Sequence, residues 1–96
     1  GSAGAVAPSG VPFIDGENAT SYTIADGATQ TVSLTPGLYV LQTPSDLGMT
    51  TPGATLAFTV RGGGDFYLAV REAGDYDFEN ASGGAVVLKV FPLEAA

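Results

Sequence analysis

Apolar and polar side chains alternate with a period of two along most of this chain, and turn residues interrupt the alternation at short intervals. Tyr22 and Ile24 lie two apart, and Asp26-Gly27 follows as a turn signal. Over residues 29–34, Val32 and Leu34 fall on one face and Thr31 and Ser33 on the other. Pro36-Gly37 then breaks the run before residues 38–42. Proline presets φ at the second turn position and glycine accepts the third, so Thr35-Pro36-Gly37-Leu38 predicts a type II turn joining two strands as a hairpin. Residues 44–53 hold two prolines and two glycines around Leu47 and Met49, which predicts a long loop. Leu56, Phe58 and Val60 alternate with Ala57 and Thr59. After Gly62-Gly63-Gly64, Phe66, Leu68 and Val70 alternate with Tyr67 and Ala69, predicting a second hairpin with a flexible tip. Tyr76 and Phe78 alternate with Asp75, Asp77 and Glu79, a strand with one dry face and one wet face. Val86, Leu88 and Val90, with Val87, Lys89 and Phe91 opposite, form the last strand, and Pro92 ends it.

Seven short strands at even spacing, with no stretch holding a 3.6-residue period, predict an all-β fold: an antiparallel β-sandwich or a jelly-roll-like barrel. Residues 1–12 are Gly, Ala, Ser and Pro with scattered Val and no periodicity, so they read as a flexible or extended N-terminal arm. Residues 13–96 then form a single domain. Within it, Gly27-Ala28-Thr29, Val32-Ser33-Leu34 and Leu38-Tyr39-Val40 recur in style as Gly53-Ala54-Thr55, Phe58-Thr59-Val60 and Phe66-Tyr67-Leu68. Either two hairpins of like design are stacked, or Thr-rich strands and glycine turns simply look alike.

Composition narrows the chemistry. The 96 residues carry ten acidic and three basic side chains, a formal net charge of −7. Arg61, Arg71 and Lys89 are too few to neutralise phosphates against that field, so nucleic acid is excluded as the expected partner. His and Cys are absent, which removes the usual general base, the thiolate nucleophile, Cys/His zinc sites and disulfides. No apolar run approaches the ~20 residues of a membrane-spanning helix, and no membrane partner is expected. Gly1-Ser2-Ala3-Gly4 reads either as a cloning scar or as a native start trimmed of its methionine. With 45% hydrophobic and 14% charged residues the chain has the material for one thin core, which oligomerisation would supplement.

Carboxylates are the plentiful ionisable groups. Asp65, Asp75, Asp77 and Glu79 are the members from which an acid/base pair would be drawn, but a domain this small has no room for a glycosidase cleft, and no catalytic residue or cofactor is assigned. Asp75, Asp77 and Glu79 are also weak calcium candidates. Calcium takes six to eight oxygens, and a straight strand cannot fold three carboxylates inward by itself. The alternative is a solvated strand face that discourages edge pairing. Asn18-Ala19-Thr20 and Asn80-Ala81-Ser82 match the glycosylation sequon but are short enough to arise by coincidence. Tyr39, Tyr67 and Phe91 fall out of phase with their apolar neighbours and are candidate interface residues on an outer face.

The run 25–41 (ADGATQTVSLTPGLYVL), with Gly53-Ala54-Thr55, Ala73-Gly74-Asp75-Tyr76 and Val86-Val87-Leu88-Lys89-Val90, resembles small β-rich structural proteins of tailed bacteriophages, of the capsid decoration or cement type. The resemblance covers residues 21–90 and rests on strand and turn style. It implies a non-enzymatic virion protein on the capsid surface, a homo-oligomer such as a trimer, bound to the major capsid protein and stabilising the head. Residues 1–12 would then reach over neighbouring subunits. The rival reading is an extracellular accessory module of a secreted bacterial protein, prepeptidase-type or carbohydrate-binding. Asp65-Phe66-Tyr67-Leu68 approximates the Asp-Leu-Tyr-Val signature of the former, and the lack of Trp weakens the latter.

Overall fold

The two-residue alternation is realised as two antiparallel sheets stacked face to face. The computed structural model describes residues 13–14, 19–54 and 56–94. Its strands are β1 (Phe13–Ile14), β2 (Thr20–Ile24), β3 (Thr29–Leu34), β4 (Gly37–Gln42), β5 (Leu47–Thr50), β6 (Ala57–Val60), β7 (Asp65–Val70), β8 (Gly74–Glu79) and β9 (Val86–Glu94). The expected arm over 1–12 and Gly1–Gly4 lie outside the described residues.

One sheet runs β1-β9-β4-β7, with β2 also paired to β9; the other runs β3-β8-β5-β6. β2 pairs with residues 86–90 of β9 and β1 with Leu93 and Glu94, so the two segments share one edge of that long strand, out of step with each other. The result is four strand positions packed on four. The pairings β2–β9, β3–β8, β4–β7 and β5–β6 are nested one inside the next. The chain is in effect one long hairpin, folded at a 3-10 turn over Pro52–Ala54 and wound so that successive strand pairs alternate between the sheets. That is jelly-roll topology, and the all-β sandwich expectation holds.

The winding corrects the local pairings. β3 and β4 belong to opposite sheets, as do β6 and β7, so neither predicted hairpin forms. Pro36-Gly37 is a crossing between layers: Gly37 has φ 157° and opens β4, whereas the third position of a type II turn needs about 80°. The predicted long loop contains β5, whose Leu47 and Met49 are buried against the core while Gly48 faces out. β9 continues past Pro92 because residues 91 and 92 fall between the β1 and β2 ladders, where a missing N–H breaks no pairing on that side.

Between the sheets, Ile24, Leu41, Val70, Val86, Leu88 and Val90 meet Val32, Leu34, Leu47, Met49, Val60, Tyr76 and Phe78. Phe78, opposite Met49 in the middle of the smaller sheet, is completely buried. A side chain of that size contributes about 1.5–3 kcal/mol through the area it removes from water.

Two pairs of turns lock one end of the sandwich. Gly62 packs against the backbone of Ser45, and a Cβ there would stand 2.4–2.7 Å from Ser45 atoms. The Gly62 N–H donates to Asp46 Oδ1 at 2.8 Å and the Gly63 N–H to the Thr43 carbonyl at 2.8 Å. The triple glycine is therefore a packed connection between layers and not the free tip of a hairpin. At the other pair, Gly27 N–H donates to the Asn80 carbonyl at 2.7 Å and Asn80 N–H to the Ala28 carbonyl at 3.0 Å.

Candidate functional site

β8 carries the acidic row that its alternation predicts: Tyr76 and Phe78 are buried, while Asp75 and Glu79 are exposed and Asp77 is half-buried. The strand lies in the interior of its sheet, between β3 and β5, so the row does not guard an edge. Register sets Ser33 opposite Asp75 and Thr31 opposite Asp77, and each hydroxyl donates to the carboxylate across from it at 2.6 Å. Glu79 lies across from Thr29 and Gly48. The acids are spread along the strand, and among the described residues no three acidic side chains converge as a metal site would require.

The aromatic candidates separate. Tyr39 is in the inward row of β4 with Leu41 and packs on the core. Its hydroxyl donates to the Thr35 carbonyl at 2.9 Å, tying down the crossing that precedes β4. It is not the outward-facing residue that the alternation of Leu38 and Val40 predicts, because both faces of β4 hold apolar side chains. Phe91 does fall on the outer face of β9, but it is only 8% exposed and neighbours Val40 across the strands. Of the three, Tyr67 alone is open to solvent, at 49%. Tyr39 and Tyr67 are thus not equivalent, although the similar segments do hold like places: β3 and β6 are the two edges of the smaller sheet, and each is followed by a crossing to the larger one. Thr55 lies outside the described residues.

Asn80 has a structural use that the sequon obscured. It is fully buried. Its Nδ2 donates to the carbonyls of Ile24 at 2.9 Å and Gly84 at 2.7 Å, and its Oδ1 accepts from the Ser82 N–H at 3.0 Å and hydroxyl at 2.7 Å. A side chain so engaged offers no acceptor nitrogen to a glycosylating enzyme in the folded state. Asn18 lies outside the described residues. At the opposite end of the sandwich, burial pushes the Tyr76 phenol above its ordinary pKa, and Glu72 and then Tyr39 add to the effect. Its hydroxyl donates to the Glu72 carbonyl at 2.8 Å.

A shallow groove of about 330 Å³ runs over Gln42, Pro44, Gly64, Asp65 and Lys89. Gln42 Nε2 already donates to Asp65 Oδ1 at 2.6 Å, so one oxygen of the groove's carboxylate is engaged within the chain.

The remaining exposed large apolar side chains include Leu56 at 59% and Phe58 at 47%. Phe58 lies opposite the buried Met49 and therefore faces inward, yet it is uncovered because β6 is the last strand of its sheet. β7 is the last strand of the other sheet, and its inward Phe66 and Leu68 are only half-buried. Together they make an open, apolar side where both layers end. Alternation could not signal it, because exposure there depends on which strands terminate the sheets.

No protein-family model and no curated protein matches this sequence. A solved structure, the solution NMR structure of a de novo designed double-stranded β-helix, superposes with a TM-score of 0.61 at 16% identity, over 77% of this chain and 96% of that one. The likeness is one of fold, and it agrees with the nested strand pairing described above.

Proposed function

We propose that this chain is a non-enzymatic structural module that works by adhesion, a decoration protein of a tailed-phage capsid that binds the major capsid protein. The observation that carries the adhesive part is the open side, where Leu56 and Phe58 are each about half exposed and Phe66 and Leu68 are only half-buried, with Tyr67 half exposed on the adjoining outer face of β7. An uncovered apolar patch favours association with another protein surface. Asp75 and Asp77 of β8 each accept from a hydroxyl across the strand, an arrangement suited to a solvated outer face. The capsid part rests on the sequence likeness over residues 21–90.

The test is genomic and biochemical. A short open reading frame beside a major capsid gene, with saturable binding of the purified chain to heads built from that capsid protein, is the expected result. A location inside a long secreted hydrolase, or no binding to those heads, overturns the capsid reading in favour of an extracellular accessory module.

A further inference from the structure

The sandwich has four strand edges, and three of them are blunted in ways that natural sheets use against unwanted pairing. The β1/β2 edge is broken by its change of register along β9. On β3, the Gln30 side chain donates to the Thr31 carbonyl at 3.0 Å and so occupies a backbone acceptor of that edge strand. β6 is only four residues long. β7 has none of these features: its six residues, Asp-Phe-Tyr-Leu-Ala-Val, contain no proline or lysine and pair in unbroken register with β4, and among the described residues no strand pairs with its other edge.

Charge at this edge is arranged symmetrically. Asp65 opens the strand and Arg71 follows its last residue, so the two opposite charges stand three positions either side of Leu68. A second β7 laid antiparallel and centred on Leu68 would set Asp65 of each copy against Arg71 of the other, and Tyr67 against Ala69. An isologous contact demands this self-complementarity: residue i meets j, and j meets i. Two of the chain's three cations, Arg61 and Arg71, flank β6 and β7, and against Asp46, Asp65 and Glu72 they leave this side close to neutral on a protein of net charge −7. Self-association is therefore least opposed by charge at the place where the apolar side chains are exposed.

We infer that β7 is the dimerisation edge of this protein, pairing antiparallel with β7 of a second copy about a two-fold axis at Leu68 and joining the two larger sheets into one. The inference rests on reading the open side as adhesive, but not on the capsid assignment. A chain that dimerises through β7 and binds no capsid keeps the first reading and loses the second.

The experiment is sedimentation velocity of the full chain over a wide concentration range, with Asp65→Arg, Arg71→Asp and the double exchange Asp65→Arg/Arg71→Asp. Circular dichroism checks that each variant is folded; all the substituted side chains are exposed. The wild type is expected at twice the mass of one chain. Each single substitution turns both symmetry-related pairs repulsive and raises the dimer dissociation constant by about tenfold or more, and the double exchange restores it. A wild type that stays monomeric throughout overturns the inference. So does an oligomer insensitive to the single substitutions, or one that the double exchange fails to rescue.

Discussion

The Asn80 side-chain amide donates to the main-chain carbonyl of Ile24, 56 residues earlier, at 2.9 Å. This bond joins the end of β8 to the end of β2, two strands of different sheets, and Asn80 accepts and donates at every other position as well. Asn80→Ala strands the carbonyl of Ile24 at a buried site and removes one of two donors from the Gly84 carbonyl, which keeps the Ser82 hydroxyl at 3.0 Å. We expect a loss of about 2–4 kcal/mol, read from urea unfolding, because leaving buried groups unsatisfied costs more than the net worth of each bond. A loss within about 0.5 kcal/mol, the range of an ordinary surface change, would show that the residue does not tie the layers together.

Gly62 and Gly64 make a paired comparison. Alanine at 62 would drive its Cβ into the Ser45 backbone, which cannot yield as a flexible side chain could, while alanine at 64 meets nothing within 4 Å. Gly62→Ala is expected to destabilise by about 1–3 kcal/mol or more, and Gly64→Ala to change stability by no more than about 0.5 kcal/mol. Equal effects at the two positions would contradict the packed connection between the β4–β5 and β6–β7 turns.

Alkaline pH should expose Tyr76. Its pKa is raised in the folded state, so between the unfolded value near ~10 and the higher folded value the native protein holds a proton that the unfolded chain has released. Stability is therefore unaffected by this group below about pH 10 and falls as pH rises beyond it. Urea midpoints measured across that range should show the fall in the wild type and a weaker one in Tyr76→Phe. At neutral pH the same variant loses the hydrogen bond to the Glu72 carbonyl, worth about 0.5–1.5 kcal/mol.

Calcium is expected to leave the protein's melting temperature where an ionic-strength-matched salt leaves it. Asp75 and Asp77 accept from Ser33 and Thr31 at 2.6 Å, and no third acid converges on either among the described residues. A calcium-specific rise that is lost in Asp75→Asn or Asp77→Asn would restore these residues as a metal site.

What could be read from the chain was the alternation, and what could not was the pairing. The strand over 29–34, the dry and wet faces of β8, and the inward set Val86, Leu88 and Val90 all follow from a period of two, since burial of one face selects that pattern directly. Pro36-Gly37 and the triple glycine are equally compatible with a reversal inside one sheet or a step to the other. The choice is made by distant strands, such as β8 beside β3, about which a local window holds no information. β5 was hidden by Gly48 and by the prolines around it, although Leu47 and Met49 carried the correct spacing. The site suffered in the same way: Tyr67 was visible as an outward aromatic, but the inward-facing Phe58 is exposed because its sheet stops, a property of topology alone.

Each ladder in this fold, from β1–β9 inward to β5–β6 and including β4–β9 and β5–β8, joins a strand that precedes the turn at Pro52–Ala54 to one that follows it. Among the described residues, neither half contains a strand pair of its own. During synthesis the leading half must wait for the trailing half before any sheet can begin, and a nick at the turn would yield two fragments that have sheet structure only in each other's company. The protein is, in that sense, a complementation pair joined by one short tether.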